Sequence, residues 1–139
     1  MMQTQNVLAE WILGTSRRAA WAPLLVFGLH VIFSRVVAGY IIFPPLDIPM
    51  HFFGGIAITH FLAYAFAVAA ALGLLGSPNG LVFSLLTFFG ACSTTVFWEF
   101  TEFLSDRVLG THAQLDLEDT MSDMLLGILG ALVYLTARP

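Results

Sequence analysis

Four long apolar runs, separated by short polar breaks, organise most of the chain. Residues 22–43, 48–75, 81–104 and 120–137 are each close to or above the ~20 residues a helix needs to cross a bilayer. The breaks carry their own signals. PPLD, at 44–47, ends the first run, because proline cannot continue a helix without losing a backbone hydrogen bond. GSPNG, at 76–80, is a tight turn by composition, and a polar stretch at 105–119 separates the third run from the fourth. Ahead of them, residues 5–14 space Val7, Leu8, Trp11 and Ile12 as one face of a helix, predicting a short interfacial element. The pattern predicts an all-α integral membrane protein, a four-transmembrane-helix bundle with both termini on the same side, in one membrane domain over 1–139.

Composition agrees with the pattern. Hydrophobic residues make up 58% of the chain and charged residues 10%, against about a quarter charged in a soluble domain. The single Cys92 excludes an intramolecular disulfide framework and a cysteine-rich metal site. No basic run is present, which excludes nucleic acid as a partner. SRRAAW precedes a run long enough to span and is followed by no small-residue cleavage pattern, so Arg17 and Arg18 read as orientation charges rather than an export signal. With Arg138 they mark the terminal side, opposite Arg107, and the positive-inside rule places both termini in the cytoplasm.

Charge placement changes the picture more than its amount. Of nine Asp and Glu, Glu10 alone lies on the terminal side; the other eight gather at span ends on the opposite face. In WEFTEFLSD, at 98–106, Glu99, Glu102 and Asp106 share one helical stripe (i, i+3, i+7). Asp47 and His51 are four apart, as are Asp119 and Asp123, with Asp116 in line if that helix starts early. Acids near a helix N-terminus are favoured by the macrodipole, which accounts for Asp116 and Glu118 and partly for Asp47. It does not account for Glu99 and Glu102, which sit at a helix C-terminal end with Glu99 inside the apolar run. Ionisable groups inside a span usually face the bundle interior and mark function.

Arg35 is expected to pair with Glu99 or Asp123, and even so the acids outnumber the cations on this face. Protons or a bound cation must balance them. Carboxylates with one imidazole suit a divalent ion (Zn, Mg, Mn, Ca or Fe), and ligands at i, i+3 or i+4 on facing helices are how metal sites in bundles are built. The expected ligands are Asp47, His51, Glu99, Glu102, Asp119 and Asp123, supported by Arg35, Asp106, Asp116 and His112, the last as a cover over the site. His60, nine residues from His51, faces elsewhere and reads as a packed residue; His30 reads as a hydrogen-bonding group across the bundle. Gly54, Gly55, Gly127 and Gly130 read as sites of close helix approach.

DIPMHFFGG, VFWEFTEF and GTHAQLDLEDTMSDMLLGILGA together resemble the YjdF-type family of small bacterial inner-membrane proteins, and more distantly the VanZ-like proteins. The resemblance covers 47–131. Its ordered pattern is an acid and a histidine four apart, an E-x-x-E pair, Gly-Thr, then two acids four apart. These fall on Asp47 and His51, Glu99 and Glu102, Gly110 and Thr111, and Asp119 and Asp123. The resemblance implies a multi-pass bacterial inner-membrane fold and this set of site residues, and brings no reaction with it.

Three functions fit. One is a metal-dependent membrane hydrolase or transferase acting on a lipid or small-molecule envelope precursor, the ion polarising a phosphoryl or ester oxygen and Glu99 or Glu102 serving as general base. A second is a non-catalytic structural or envelope-stress module whose polar groups lock helices together. The third is cation or proton transport along carboxylates and histidines, against which polar residues thin out in the far halves of spans two and four.

Overall fold

The computed structural model describes residues 2–138, with side chains from Asn6 onward, and among these residues it is helical with no strand. Six helices follow one another: α1 (Met2–Ala19), α2 (Trp21–Val31), the single turn α3 (Gly39–Ile42), α4 (Asp47–Ala71), α5 (Gly80–Leu109) and α6 (Leu117–Ala137). Pro44–Ala71, α5 and α6 are each long and apolar enough to cross a membrane. A fourth crossing is available if Asn6–Ala19 and Trp21–Val36, bent by 61°, act as one broken span.

The first expected span, 22–43, is therefore not one helix. At its start the ring of Pro23 cannot sit against the carbonyl four residues earlier, that of Ala19, where α1 stops. At its end α2 widens into a π-helical turn, Ile32–Val36, closed by Val37 N–H donating to the Ile32 carbonyl, and Ala38 then takes a left-handed φ of 50°. The expected interfacial helix at 5–14 is also longer, at 18 residues. It packs against α4, where Trp11 Nε1 donates to the Ala65 carbonyl at 2.8 Å.

The other boundaries shift for readable reasons. α4 stops at Ala71 rather than 75, because Gly73, at φ 75°, closes a Schellman motif: Gly73 N–H donates to Ala70 O and Leu74 N–H to Ala69 O. Asn79 caps α5 by accepting from Val82 N–H at 2.9 Å. α5 then runs on through the polar LSDR to Leu109, past the expected end at 104, and Gly110 stops it at φ 64°. Its 30 residues span roughly 45 Å at 1.5 Å each, more than the ~30 Å hydrocarbon core.

α4 is the centre of the molecule, with α1, α2, α5 and α6 all packed on it. The closest approach lies between α4 and α6. A Cβ on Gly55 would collide with the Gly127 carbonyl oxygen, and one on Gly130 with the Phe52 carbonyl oxygen. On its other side Gly127 faces α5, where an added Cβ would lie 2.7 Å from Thr95 Cγ2. Small residues are what allow backbones this near. Gly54 differs from the other three: an added Cβ there would meet only Val26 Cγ1, at 4.0 Å.

Candidate metal centre

One turn beyond that junction, towards the acidic face, the three helices present Glu99, His51 and Asp123. Each stands four residues from a junction residue: His51 from Gly55, Glu99 from Thr95 and Asp123 from Gly127. The backbone contact below therefore sets the distance between the side chains above. Glu99, Glu102 and Asp123 keep only 4%, 9% and 5% of their surface exposed, and the His51 side chain 8%. Four ionisable groups thus meet out of water.

His51 is shared by two sets of ligand atoms. Nε2 lies 3.3 Å from Asp47 Oδ1 and 3.7 Å from Asp123 Oδ2; Nδ1 lies 3.8 Å from Glu99 Oε1. Asp47, His51 and Asp123 form one compact group able to hold a metal ion, and His51, Glu99 and Glu102 a second. The contacts exceed the ~2.7–3.2 Å of a made hydrogen bond. They are close to the roughly 3.3 Å edge of a tetrahedron built on ~2.0–2.1 Å metal bonds. Glu99 Oε1 is buried with no hydrogen-bond partner, a condition that costs about 1–3 kcal/mol or more for a charged group unless something else satisfies it.

The remaining carboxylate contacts fix orientation. Glu99 Oε2 accepts from Gln114 Nε2 at 3.2 Å, which also reaches the Glu99 carbonyl. Glu102 Oε1 accepts from Trp98 Nε1 at 2.9 Å. Both donors escaped the sequence reading. Trp98, one turn before Glu102, was legible as an i, i+4 partner; Gln114 sits in an irregular loop where spacing carries no information.

The other expected site residues lie outside both ligand groups. Asp106 anchors the α5–α6 loop, accepting from Thr111 Oγ1 at 2.5 Å and from Ala113 N–H and Gln114 N–H. Asp116 is the N-cap of α6, accepting from Asp119 N–H at 3.0 Å. Asp119 turns its Oδ2 to Leu115 N–H at 3.1 Å, so of the Asp119 and Asp123 pair only Asp123 joins His51. His112 is exposed in the loop at φ 58°. Arg35 is exposed on the π turn, and every ion pair among the described residues involves His51. Arg35 therefore pairs with neither Glu99 nor Asp123.

The two interior histidines have separate surroundings. His60 stacks edge-on with Trp21 and Tyr134 and bonds the Tyr134 hydroxyl at 3.1 Å, packed away from the cluster. His30 bonds the Tyr40 hydroxyl at 2.9 Å and lies edge-on to Trp98, with ring centres 5.3 Å apart. Between α2, α4 and α5 lies a cleft of about 330 Å³, with His30, His51 and Trp98 among its walls.

No curated protein and no solved structure matches the chain. A family described as "Predicted membrane protein (DUF2238)" matches residues 14–138, a stretch that contains every residue of the cluster. The YjdF-type group named from the motifs falls within it, and the chain belongs to this family of membrane proteins.

Proposed function

We propose that the protein crosses a bacterial inner membrane four times, the first crossing beginning at the bend after Arg17 and Arg18, and holds a divalent cation at its outer face. Arg17, Arg18 and Arg138 at the terminal end support cytoplasmic termini by the positive-inside rule. The observation that carries the cation is the buried His51 imidazole with carboxylates at both ring nitrogens, one of whose oxygens, Glu99 Oε1, has no partner. In this reading Asp47, His51 Nε2 and Asp123 ligate the ion. Glu99 Oε1, 3.8 Å away, then faces the Nδ1–H of the ring, on the side from which a carboxylate orients a metal-bound histidine. Three protein ligands leave a position free, as catalytic sites do.

The chemistry this supports is hydrolysis or transfer at a phosphoryl or ester bond of a lipid or envelope precursor, for which a divalent ion held by these residues would supply Lewis acidity. Glu102, held by Trp98, is assigned the general base. The test is elemental analysis of the detergent-purified protein and its variants. A stoichiometric divalent metal, lost in Asp123→Asn and retained in Glu102→Gln, is the expected result. A metal-free wild-type protein whose stability is unchanged by chelator refutes it. That outcome favours a second reading, in which His51 is a clamp between the carboxylates of α4, α5 and α6. The clamp requires His51→Ala to unfold the bundle rather than merely empty it.

A further inference from the structure

The cleft beside the cluster is graded in polarity. It follows α4 from Met50 to Ile58, about 12 Å at 1.5 Å per residue. Its outer end holds His51 and His30; away from them the walls are Leu24, Val26, Phe27, Gly54 and Ile58. Two threonines on the α5 wall do not change this, since Thr94 Oγ1 donates to Gly90 O and Thr95 Oγ1 to Ala91 O. Their hydroxyl protons are spent on their own helix. Trp98 Nε1 is likewise committed to Glu102.

The side wall is loosely closed between α2 and α5. α2 packs on α4 rather than on α5, and meets α5 through Phe27 and His30, edge-on to Trp98 with ring centres 6.2 Å and 5.3 Å away. Leu24, Leu25 and Phe27 are exposed along α2, on a segment apolar enough to lie in hydrocarbon. With α2 part of a membrane crossing, as proposed above, the bilayer would be the medium next to this seam. The volume is at the small end of the range for ligand pockets, and an apolar slot beside hydrocarbon excludes water-soluble ligands by the cost of desolvating their polar groups.

We infer that this cleft receives one hydrocarbon chain of a membrane lipid, entering sideways between α2 and α5, and so presents that lipid's headgroup linkage at His51. This names the substrate class of the proposed cation site and rests on that reading for its chemistry, though the binding of the chain is measured without it. Phe27 and Trp98 form the seam through which the chain passes. Gly54 is small because the slot runs across it: with no backbone closer than ordinary contact, packing against a neighbouring helix gives no reason for a missing side chain there.

The test uses the full chain in phospholipid nanodiscs with a monoacyl glycerophosphate carrying a diazirine at its chain end. On irradiation the carbene is expected to mark peptides containing Val26, Phe27, Gly54 or Ile58. Gly54→Leu, which fills the slot, lowers that labelling at least tenfold, while Gly54→Ala retains it; Ile58→Trp, which blocks the inner end, repeats the loss should Gly54→Leu fail to fold. Labelling spread over outward residues such as Leu81 and Phe97, and unchanged in the filling variants, overturns the inference. Metal content is measured on the same samples. Dispersed labelling with metal present defeats the chain slot alone, whereas slot-specific labelling of a metal-free protein upholds the slot and defeats the cation site.

Discussion

Six of the acids on one face of this molecule divide into two populations that helical spacing does not separate. Asp106, Asp116 and Asp119 each accept from backbone N–H groups of the α5–α6 connection or the first turn of α6. Their negative charge is met by the loop they hold. Glu99, Glu102 and Asp123 are nine-tenths buried on facing helices and accept from no backbone N–H among the described residues. The first group stabilises chain geometry; the second is held in place by helix packing and points at one imidazole. A carboxylate in a membrane protein is thus informative about function only once its backbone partners are counted.

The contrast is most sharply broken by Asp123→Asn. Losing a charged ligand from the Asp47, His51 and Asp123 set is expected to abolish stoichiometric metal, read by elemental analysis, with the protein still folded by thermal unfolding in detergent. An unchanged metal content removes Asp123 from the buried population's function. Glu99→Gln follows in size. If Glu99 orients His51 rather than ligating, metal affinity falls about 10–100-fold without vanishing, measured by competition with a chromogenic chelator; complete loss would make Glu99 a ligand.

The helical class, the four apolar runs and the grouping of Asp47, His51, Glu99, Glu102 and Asp123 were legible because they depend on local periodicity. Residues at i, i+3 and i+4 share a helix face whatever the fold, and α4, α5 and α6 follow their runs. The break in the first span was not legible from apolarity: Ala38 carries no signal for a left-handed φ, and IFSRV carries none for the π turn before it. Asp119 was misgrouped for a related reason. Its spacing from Asp123 is right, but its distance from the helix start lets Leu115 N–H capture it, and capping competes with any site at a helix N-terminus.

Gly127→Ala tests what holds the buried population together. The added methyl meets Thr95 at less than a van der Waals separation, and overpacking of this kind costs about 1–3 kcal/mol. Because Asp123 and Glu99 stand one turn from the contact, α5 and α6 must part where their carboxylates converge. Metal affinity should fall along with thermal stability, and Gly127→Ala combined with Thr95→Ser, which removes the Cγ2 methyl the new Cβ strikes, should recover part of both. A stability loss with metal affinity intact would show that the junction does not set the ligand spacing.

The smallest expected effect is the one that makes the comparison specific. Asp116→Ala removes the N-cap of α6 and is expected to cost about 1 kcal/mol, seen as a lowered midpoint of thermal unfolding. Asp116 accepts only from Asp119 N–H and, through its carbonyl, from Thr120. The start of α6 frays, while Asp123, two turns further in, stays packed by Gly127 below it. Metal content should therefore remain at its wild-type value. If it dropped in step with Asp123→Asn, the loop acids would be working parts of the site and the division between the two populations would be one of burial alone.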